Sequence, residues 1–151
     1  MPVSAFTAGD VLTAANMNLL PRGEMGYAQR TTDQGGITTV TDVTSLSVTW
    51  TAVSSRRYKI TAQAGLLSSV LDDVASIWIT DAANAKQATA YVLVRTVSFG
   101  VQTNTSKIVT GLSGSTTWKV RAERIAGTGS ISVVSGATFP SFILVEDIGA
   151  A

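Results

Sequence analysis

Few side chains in this sequence of 151 residues could carry out chemistry. It contains no histidine and no cysteine, which excludes a Ser-His-Asp triad, a Cys-His pair and metal sites built on thiolates or imidazoles. Paired carboxylates could still perform acid–base catalysis, and Asp72–Asp73 and Glu146–Asp147 are adjacent in the sequence. Adjacent residues on a strand point to opposite faces, and a solvated turn is the ordinary place for Asp72–Asp73. We therefore expect no catalytic residues and no enzyme.

The charged residues at the ends of two predicted strands are expected to be structural. Glu146 and Asp147 close the last strand that the pattern predicts, and we expect them to pair with arginine or to cap the end of the chain. Arg56 has the same parity as Tyr58 in a run of alternating residues. It should therefore lie inward at the edge of its strand and pair with an Asp or Glu, whereas Arg57 should be solvated.

The sequence does not indicate a metal or cofactor site. Calcium requires several oxygen atoms converging on one cation. Residues 33–36 (DQGG) and 71–73 (LDD) contain suitable oxygens, but neither has the spacing of a loop that builds a site alone. No glycine pattern followed by Lys and Ser or Thr suggests a phosphate-binding loop. We expect no metal and no cofactor.

Three residues are candidates for ligand contact, Trp78, Gln102 and Asn104, together with the loop 81–88. An exposed ring can stack on a sugar, and amide groups can hydrogen-bond to its hydroxyls. A surface glycan would then be the ligand. The opposing interpretation is that rings at strand positions, such as Trp78 and Trp118, are core or interface residues, as they usually are.

Composition excludes several other classes of partner. The formal net charge is +1, so no face suited to nucleic acid or to an anionic membrane is indicated. No segment approaches the roughly 20 apolar residues that span a bilayer, and residues 1–20 lack the pattern of a signal peptide. We expect assembly in a cytoplasm without membrane insertion. Charged residues make up only 14%, against about 25% in typical domains, which favours packing against copies of itself.

The first 22 residues differ in pattern from the rest of the chain. Thr13 is a suitable N-cap, and residues 14–20 can form two short turns of helix. Leu12 and Met17 have the spacing of a hydrophobic staple across that cap. Pro21 should end the helix because it cannot continue the hydrogen-bonded turn.

The same segment has more apolar residues than a free tail would carry, and we expect them to dock. They are Phe6, Val11, Leu12, Met17, Leu19 and Leu20. One interpretation is that residues 1–22 fold back onto their own domain. The other is that they bind another protein.

Residues 23–151 show the two-residue period of β-strands. The longest clean alternation places apolar groups at Tyr58, Ile60, Ala62, Ala64 and Leu66. Two runs, 90–101 and 142–145, are apolar on both faces, as in strands covered on both sides, where the second cover can be a neighbouring subunit. Eight or nine short strands separated by turns predict an all-β antiparallel sandwich or jelly roll.

Four segments resemble a known group of proteins. They are FTAGDVLTAANMNLLPRG (6–23), SLSVTWTAVSSRRYKITAQ (45–63), WKVRAERIAGTG (118–129) and FILVEDIG (142–149). Together they resemble small minor tail, fibre and head-decoration proteins of tailed phages that infect actinobacteria. Members of this family look like compact jelly rolls of the tumour necrosis factor type, which usually form trimers. This chain departs from the long-fibre members because it has no coiled-coil or collagen-like shaft.

The resemblance implies a structural role in the virion. We expect a homotrimeric surface knob in which residues 1–22 dock on other virion proteins, of the capsid or of the tail, and residues 23–151 form the jelly roll. The alternative is a glycan-binding module that recognises the host surface. The two roles are compatible in one protein.

Overall fold

The protein is built almost entirely from antiparallel β-strands. A computed structural model describes residues 13–151 of the chain. That part contains the short helix α1 (Ala14–Met17) and ten strands: β1 (Gly23–Arg30), β2 (Gln34–Ile37), β3 (Thr41–Ala52), β4 (Arg56–Ser68), β5 (Val74–Asp81), β6 (Lys86–Leu93), β7 (Val101–Thr110), β8 (Gly114–Ala126), β9 (Ile131–Val134) and β10 (Ser141–Ala150). The predicted all-β class is confirmed.

The strands form two sheets that face each other. Sheet A has the order β1-β10-β4-β9-β2, with β7 paired to the other edge of β4, and sheet B has the order β3-β8-β5-β6. All pairings between these strands are antiparallel. The chain crosses repeatedly from one sheet to the other, as the predicted jelly-roll sandwich requires.

Strand β4 is the centre of sheet A and shows why the sequence folds this way. Its alternating apolar residues, from Tyr58 to Leu66, are all buried, as predicted. They pack against inward residues of sheet B such as Ile77, Ile79 and Val120. Burying one such side chain contributes about 1.5–3 kcal/mol, so the alternation fixes which face of β4 meets the core.

The two ends of the sandwich carry different parts of the chain. The α1 end comprises α1, residues 18–22, residues 150–151 and the loops 53–55, 82–85 and 111–113. The opposite end comprises the loops 38–40, 69–73, 94–100 and 127–130. Residues 13–22 therefore lie at one end, and the crossover loop between β6 and β7 lies at the other.

Residues 90–101 do not form the single strand that their composition suggested. Strand β6 ends at Leu93 and β7 begins at Val101, and the chain crosses from sheet B to sheet A between them. The start of the crossover is held by Asp72 N, which donates to the carbonyl of Val94 (2.8 Å), and by Val94 N, which donates to that of Asp73 (2.9 Å). Val94 is buried and fills the core from the loop, whereas Leu93 and Val101 are exposed. Periodicity does not distinguish such a buried loop residue from a strand residue.

Candidate functional site

The predicted helix is present at the end of the docking segment, but it is short. The backbone N–H of Asn16 donates to Oγ1 of Thr13 at 3.2 Å, which confirms Thr13 as the N-cap. The helix ends at Met17, three residues before the expected end at Leu20. With a single turn, it is held by its neighbours rather than by its own hydrogen bonds.

Three of the predicted docking residues fall in the part of the chain that the structure describes. Met17 is 56% exposed and Leu19 is 44% exposed, and Leu20 is half-buried. Phe6, Val11 and Leu12, with the predicted staple, lie outside the described residues. The exposed Met17 and Leu19 leave apolar surface at the α1 end, so docking by these residues stays a prediction.

A buried ion pair holds the chain just after the helix. Arg56 donates from Nε to Oδ2 of Asp147 at 2.7 Å and from Nη2 to Oδ1 at 2.6 Å. Both side chains are almost completely buried. The prediction that Arg56 lies inward and pairs with an acidic residue is confirmed, as is the predicted role of Asp147, and Arg57 is exposed as expected.

The same guanidinium also binds the backbone of the docking segment. Arg56 donates to the carbonyl of Leu20 at 2.6 Å and to the carbonyl of Asn18. The backbone N–H of Ala150 donates to the carbonyl of Leu19 at 3.3 Å. Residues 18–20 are therefore held at the α1 end, beside the last strand.

Asp147 is charged in this environment. Burial alone would raise the pKa of its carboxyl, but the Arg56 guanidinium and the backbone N–H of Gly149 (2.9 Å) hold that pKa below its ordinary value. A carboxylate that accepts several charge-assisted hydrogen bonds keeps its charge although it is buried. The pair is thus an ionic one at neutral pH.

The outward face of sheet A carries an apolar patch on β1 and β10, formed by Tyr27, Phe142 and Leu144. Tyr27 and Leu144 are cross-strand partners, and the rings of Tyr27 and Phe142 lie 5.9 Å apart between centroids. On the opposite side of β10, Ile143 and Val145 are fully buried in the core. The core covers one face of this strand, whereas the predicted cover of its other face by a neighbouring subunit stays a prediction.

The three predicted ligand contacts do not lie together. Trp78 points outward from sheet B, since its neighbours Ile77 and Ile79 face the core. Gln102 and Asn104 lie on β7, on the outward side of sheet A. One shared surface therefore cannot use all three residues.

Trp78 also has local partners that occupy its polar atom and one face of its ring. Its indole N–H donates to Oγ of Ser76 at 2.8 Å. The ammonium of Lys86 lies 3.2 Å from the centroid of the ring, which is a cation–π contact. Trp50 and Trp118 are buried, in agreement with the interpretation that strand rings belong to the core.

The adjacent acidic residues of the turn differ from each other. Asp72 is exposed and pairs with Arg95 at 2.8 Å. Asp73 is buried, contrary to the expectation of a solvated turn, because the loop beginning at Gly127 covers it. It accepts a hydrogen bond from Ser68 (2.5 Å) and others from two backbone N–H groups of that loop, and these bonds, the one from Ser68 above all, lower its pKa.

Other features of the described residues bear on ligand and membrane binding. Within residues 13–151, no group of three or more acidic side chains converges into a possible metal site. In the same part of the chain, no helix is long and apolar enough to cross a membrane.

No protein-family model and no curated protein matches the chain. Among solved structures it is similar to the VP2 subviral particle of infectious bursal disease virus, with 13% identity and a TM-score of 0.44 over 85% of this chain. The chain spans about two-fifths of that protein, the match covering 39% of it. It is also similar to the Eiger TNF of S. frugiperda, with 11% identity, a TM-score of 0.41, and coverage of 85% of this chain and 95% of that one.

A third similar structure is the CBM22-1 xylan-binding domain of Xyn10C from Paenibacillus barcinonensis. It is 13% identical, with a TM-score of 0.29, over 97% of this chain and 100% of that domain. A viral capsid protein and a TNF-like jelly roll are thus among the similar structures. At TM-scores this low, the likenesses carry no argument about what the protein does.

Proposed function

We propose that this protein is a non-enzymatic structural protein of a phage virion that forms a homotrimeric knob on the particle surface. The sequence resemblance to small tail, fibre and decoration proteins motivates the assignment to a phage. Other copies of the chain and other virion proteins, of capsid or tail, are its partners. The protein is located in the virion, into which it is assembled in the host cytoplasm.

The observation that carries the self-association is the apolar patch of Tyr27, Phe142 and Leu144 on the outward face of sheet A. An antiparallel sheet that faces water on one side normally carries polar residues there. Tyr27 is 45% exposed, and Phe142 and Leu144 are half-buried. A cluster of apolar side chains that is open to water marks an interaction surface. In a cyclic trimer, a different surface of the next copy would cover the patch of each copy.

Light scattering or sedimentation of the purified protein tests the trimer. Replacing Leu144 with arginine places a cation beside Glu146, so the folded monomer should tolerate the change. In the trimer, the same charge would be buried in the proposed interface. We expect the wild type to be a trimer at micromolar concentration and Leu144→Arg to be a folded monomer. Thr51→Arg, at an exposed position on the outward face of sheet B, is the control and should remain trimeric. A stable wild-type monomer would contradict the proposal.

Docking through the N-terminal segment is tested by particle incorporation. Arg56 binds the carbonyls of Asn18 and Leu20, so a truncation has to stop before these residues if it is to leave the domain intact. We expect a variant that lacks residues 1–16 to fold but to be absent from particles. If that variant still joined the particle, residues 1–16 would not be the anchor.

Recognition of a host glycan is the second candidate function. One observation favours it, an uncharged groove beside Gln102 on the outward side of sheet A. The predicted set of Trp78, Gln102 and Asn104 is divided between two faces, so Trp78 would take no part at that groove.

A further inference from the structure

A groove of about 410 Å³ lies on the outward side of sheet A, where β7 and β9 both meet β4. Its floor is Gly65, which pairs with Gln102 on one side and with Val134 on the other. A Cβ atom added to Gly65 would lie 2.7 Å from the carbonyl oxygen of Val134 and 3.2 Å from Nε2 of Gln102. A side chain at this position would clash with the residues that line the groove.

Two phenyl rings form the walls of the groove. Phe99, in the crossover between β6 and β7, is 75% exposed, and Phe139, in the turn between β9 and β10, is 46% exposed. Phe139 is held in place because its turn is closed by paired backbone hydrogen bonds with Gly136, of 3.3 and 3.2 Å. Rings left open to water at a preformed groove are available to stack on a ligand.

One amide side chain lines the groove, and two more lie next to it on the sheet. Gln102 lines the groove itself. Asn104 and Gln63 are cross-strand partners, each two residues along its strand from the pair of Gln102 and Gly65. The amides of these three residues make no hydrogen bond to any other described residue. Each amide offers both a donor and an acceptor, so the set can pair with hydroxyl groups without displacing an internal contact.

The character of the lining restricts the ligand. None of the described residues that line the groove is charged, so it offers no counter-ion to a phosphate, a sulfate or an acidic sugar. An apolar ring face together with neutral amides matches a pyranose, which presents C–H groups on one face and hydroxyls at its edge. A flat apolar ligand would use the rings but leave the amides without partners.

We propose that this groove binds a neutral pyranose sugar, stacked on Phe99 and Phe139 and hydrogen-bonded by Gln102 and Asn104. The inference rests on the second candidate function, glycan recognition, and does not depend on the trimer. It replaces Trp78 with Phe99 and Phe139 as the aromatic part of the site. Asn104 and Gln102 keep the role that was predicted for them.

The test is a titration of the full chain with maltohexaose, cellohexaose and mannohexaose, followed by saturation-transfer NMR and by amide shifts. Affinity for a site this small is expected to be on the order of 1 mM. Losing one stacking ring should weaken binding about three- to tenfold, so Phe99→Ala and Gln102→Ala should each bind more weakly than the wild type. Both residues are exposed, so these variants should fold normally.

Tyr91→Ala is the matched control, because Tyr91 is an exposed ring on the other sheet, with 58% exposure. It should bind like the wild type. If no neutral sugar binds, glycan recognition and this site both fail. If a sugar binds equally well to the wild type, Phe99→Ala and Gln102→Ala, then glycan recognition stands and this site is wrong.

Two further measurements complete the test. N-acetylphenylalaninamide is an apolar probe with no sugar hydroxyls. If it shifts the groove resonances and the sugars do not, the groove takes an apolar side chain and the sugar proposal is overturned. Phe99→Ala should also leave the oligomeric state unchanged, and a change in it would assign the groove to the interface between copies.

Discussion

Replacing Arg56 with methionine should both destabilise the domain and release the segment before β1. The methionine leaves the carboxylate of Asp147 buried, with the N–H of Gly149 as its remaining hydrogen-bond donor among the described residues. Removing one partner of a buried ion pair costs about 3–5 kcal/mol. The carbonyls of Asn18 and Leu20 also lose their donor, but they are only partly buried and can bind water once the segment lifts.

This loss is large compared with the total free energy of unfolding of a domain, which is about 5–15 kcal/mol. For a chain of this size, 1 kcal/mol corresponds to about 2–4 °C in Tm, so we expect Tm to fall by about 6–20 °C. Urea unfolding followed by tryptophan fluorescence measures the free energy, since Trp50 and Trp118 are buried in the core. Hydrogen exchange over residues 14–22 measures the release of the segment.

A second variant separates the two effects. Arg56→Met combined with Asp147→Leu replaces the whole pair with apolar groups, which is often neutral or stabilising. We expect it to recover most of the stability while residues 14–22 still exchange fast, because nothing donates to their carbonyls. Two results would contradict this reasoning. Either Arg56→Met lowers the free energy of unfolding by less than about 1 kcal/mol, or residues 14–22 exchange as slowly in the double variant as in the wild type.

Four further outcomes are expected. Because the pKa of Asp147 is lowered in the fold, its stabilisation is complete above its unfolded pKa of about 3.9. This stabilisation is lost as the pH falls through the pKa of Asp147 in the folded protein. Below about pH 5, the free energy of unfolding should therefore depend less steeply on pH in the double variant than in the wild type. Ile60→Ala should cost about 2–5 kcal/mol in urea unfolding, whereas Thr61→Ala, on the other face of β4, should stay within about 0.5 kcal/mol. Asp73→Asn should lower Tm and speed exchange of the amides of Thr128 and Gly129, while Asp72→Asn should do neither. Lys86→Ala should uncover the ring of Trp78 and raise its quenching by acrylamide, and an unchanged quenching constant would mean that Lys86 does not cover the ring in solution.

Local pattern was enough to predict several features of this protein. The two-residue alternation from Tyr58 to Leu66 predicted a strand and its inward face, since a strand that is buried on one side must alternate. The parity of Arg56 in the same run predicted an inward arginine that needs an acidic partner. The hydroxyl of Thr13 predicted the cap of α1, because a cap forms within four consecutive residues.

Other features follow only from contacts between distant parts of the chain. Arg56 and Asp147 are 91 residues apart, and the sequence indicates that a partner exists but not which acid it is. Asp73 looks like a turn residue in sequence, but a loop more than fifty residues later buries it. A local pattern contains no information about which loop will cover which turn.

The candidate binding groove shows the same division. Gln102 was predicted to contact a ligand, and so was Trp78, but strand order puts them on opposite faces of the sandwich. Gly65, Phe99 and Phe139 gave no signal in the sequence, because their role comes from β7 and β9 meeting β4 at one point. Sequence by itself determined the all-β class, the inward face of β4 and the need for an acid beside Arg56. The tertiary structure decided which residues share a surface, because that depends on sheet order, which pairs residues distant in the chain.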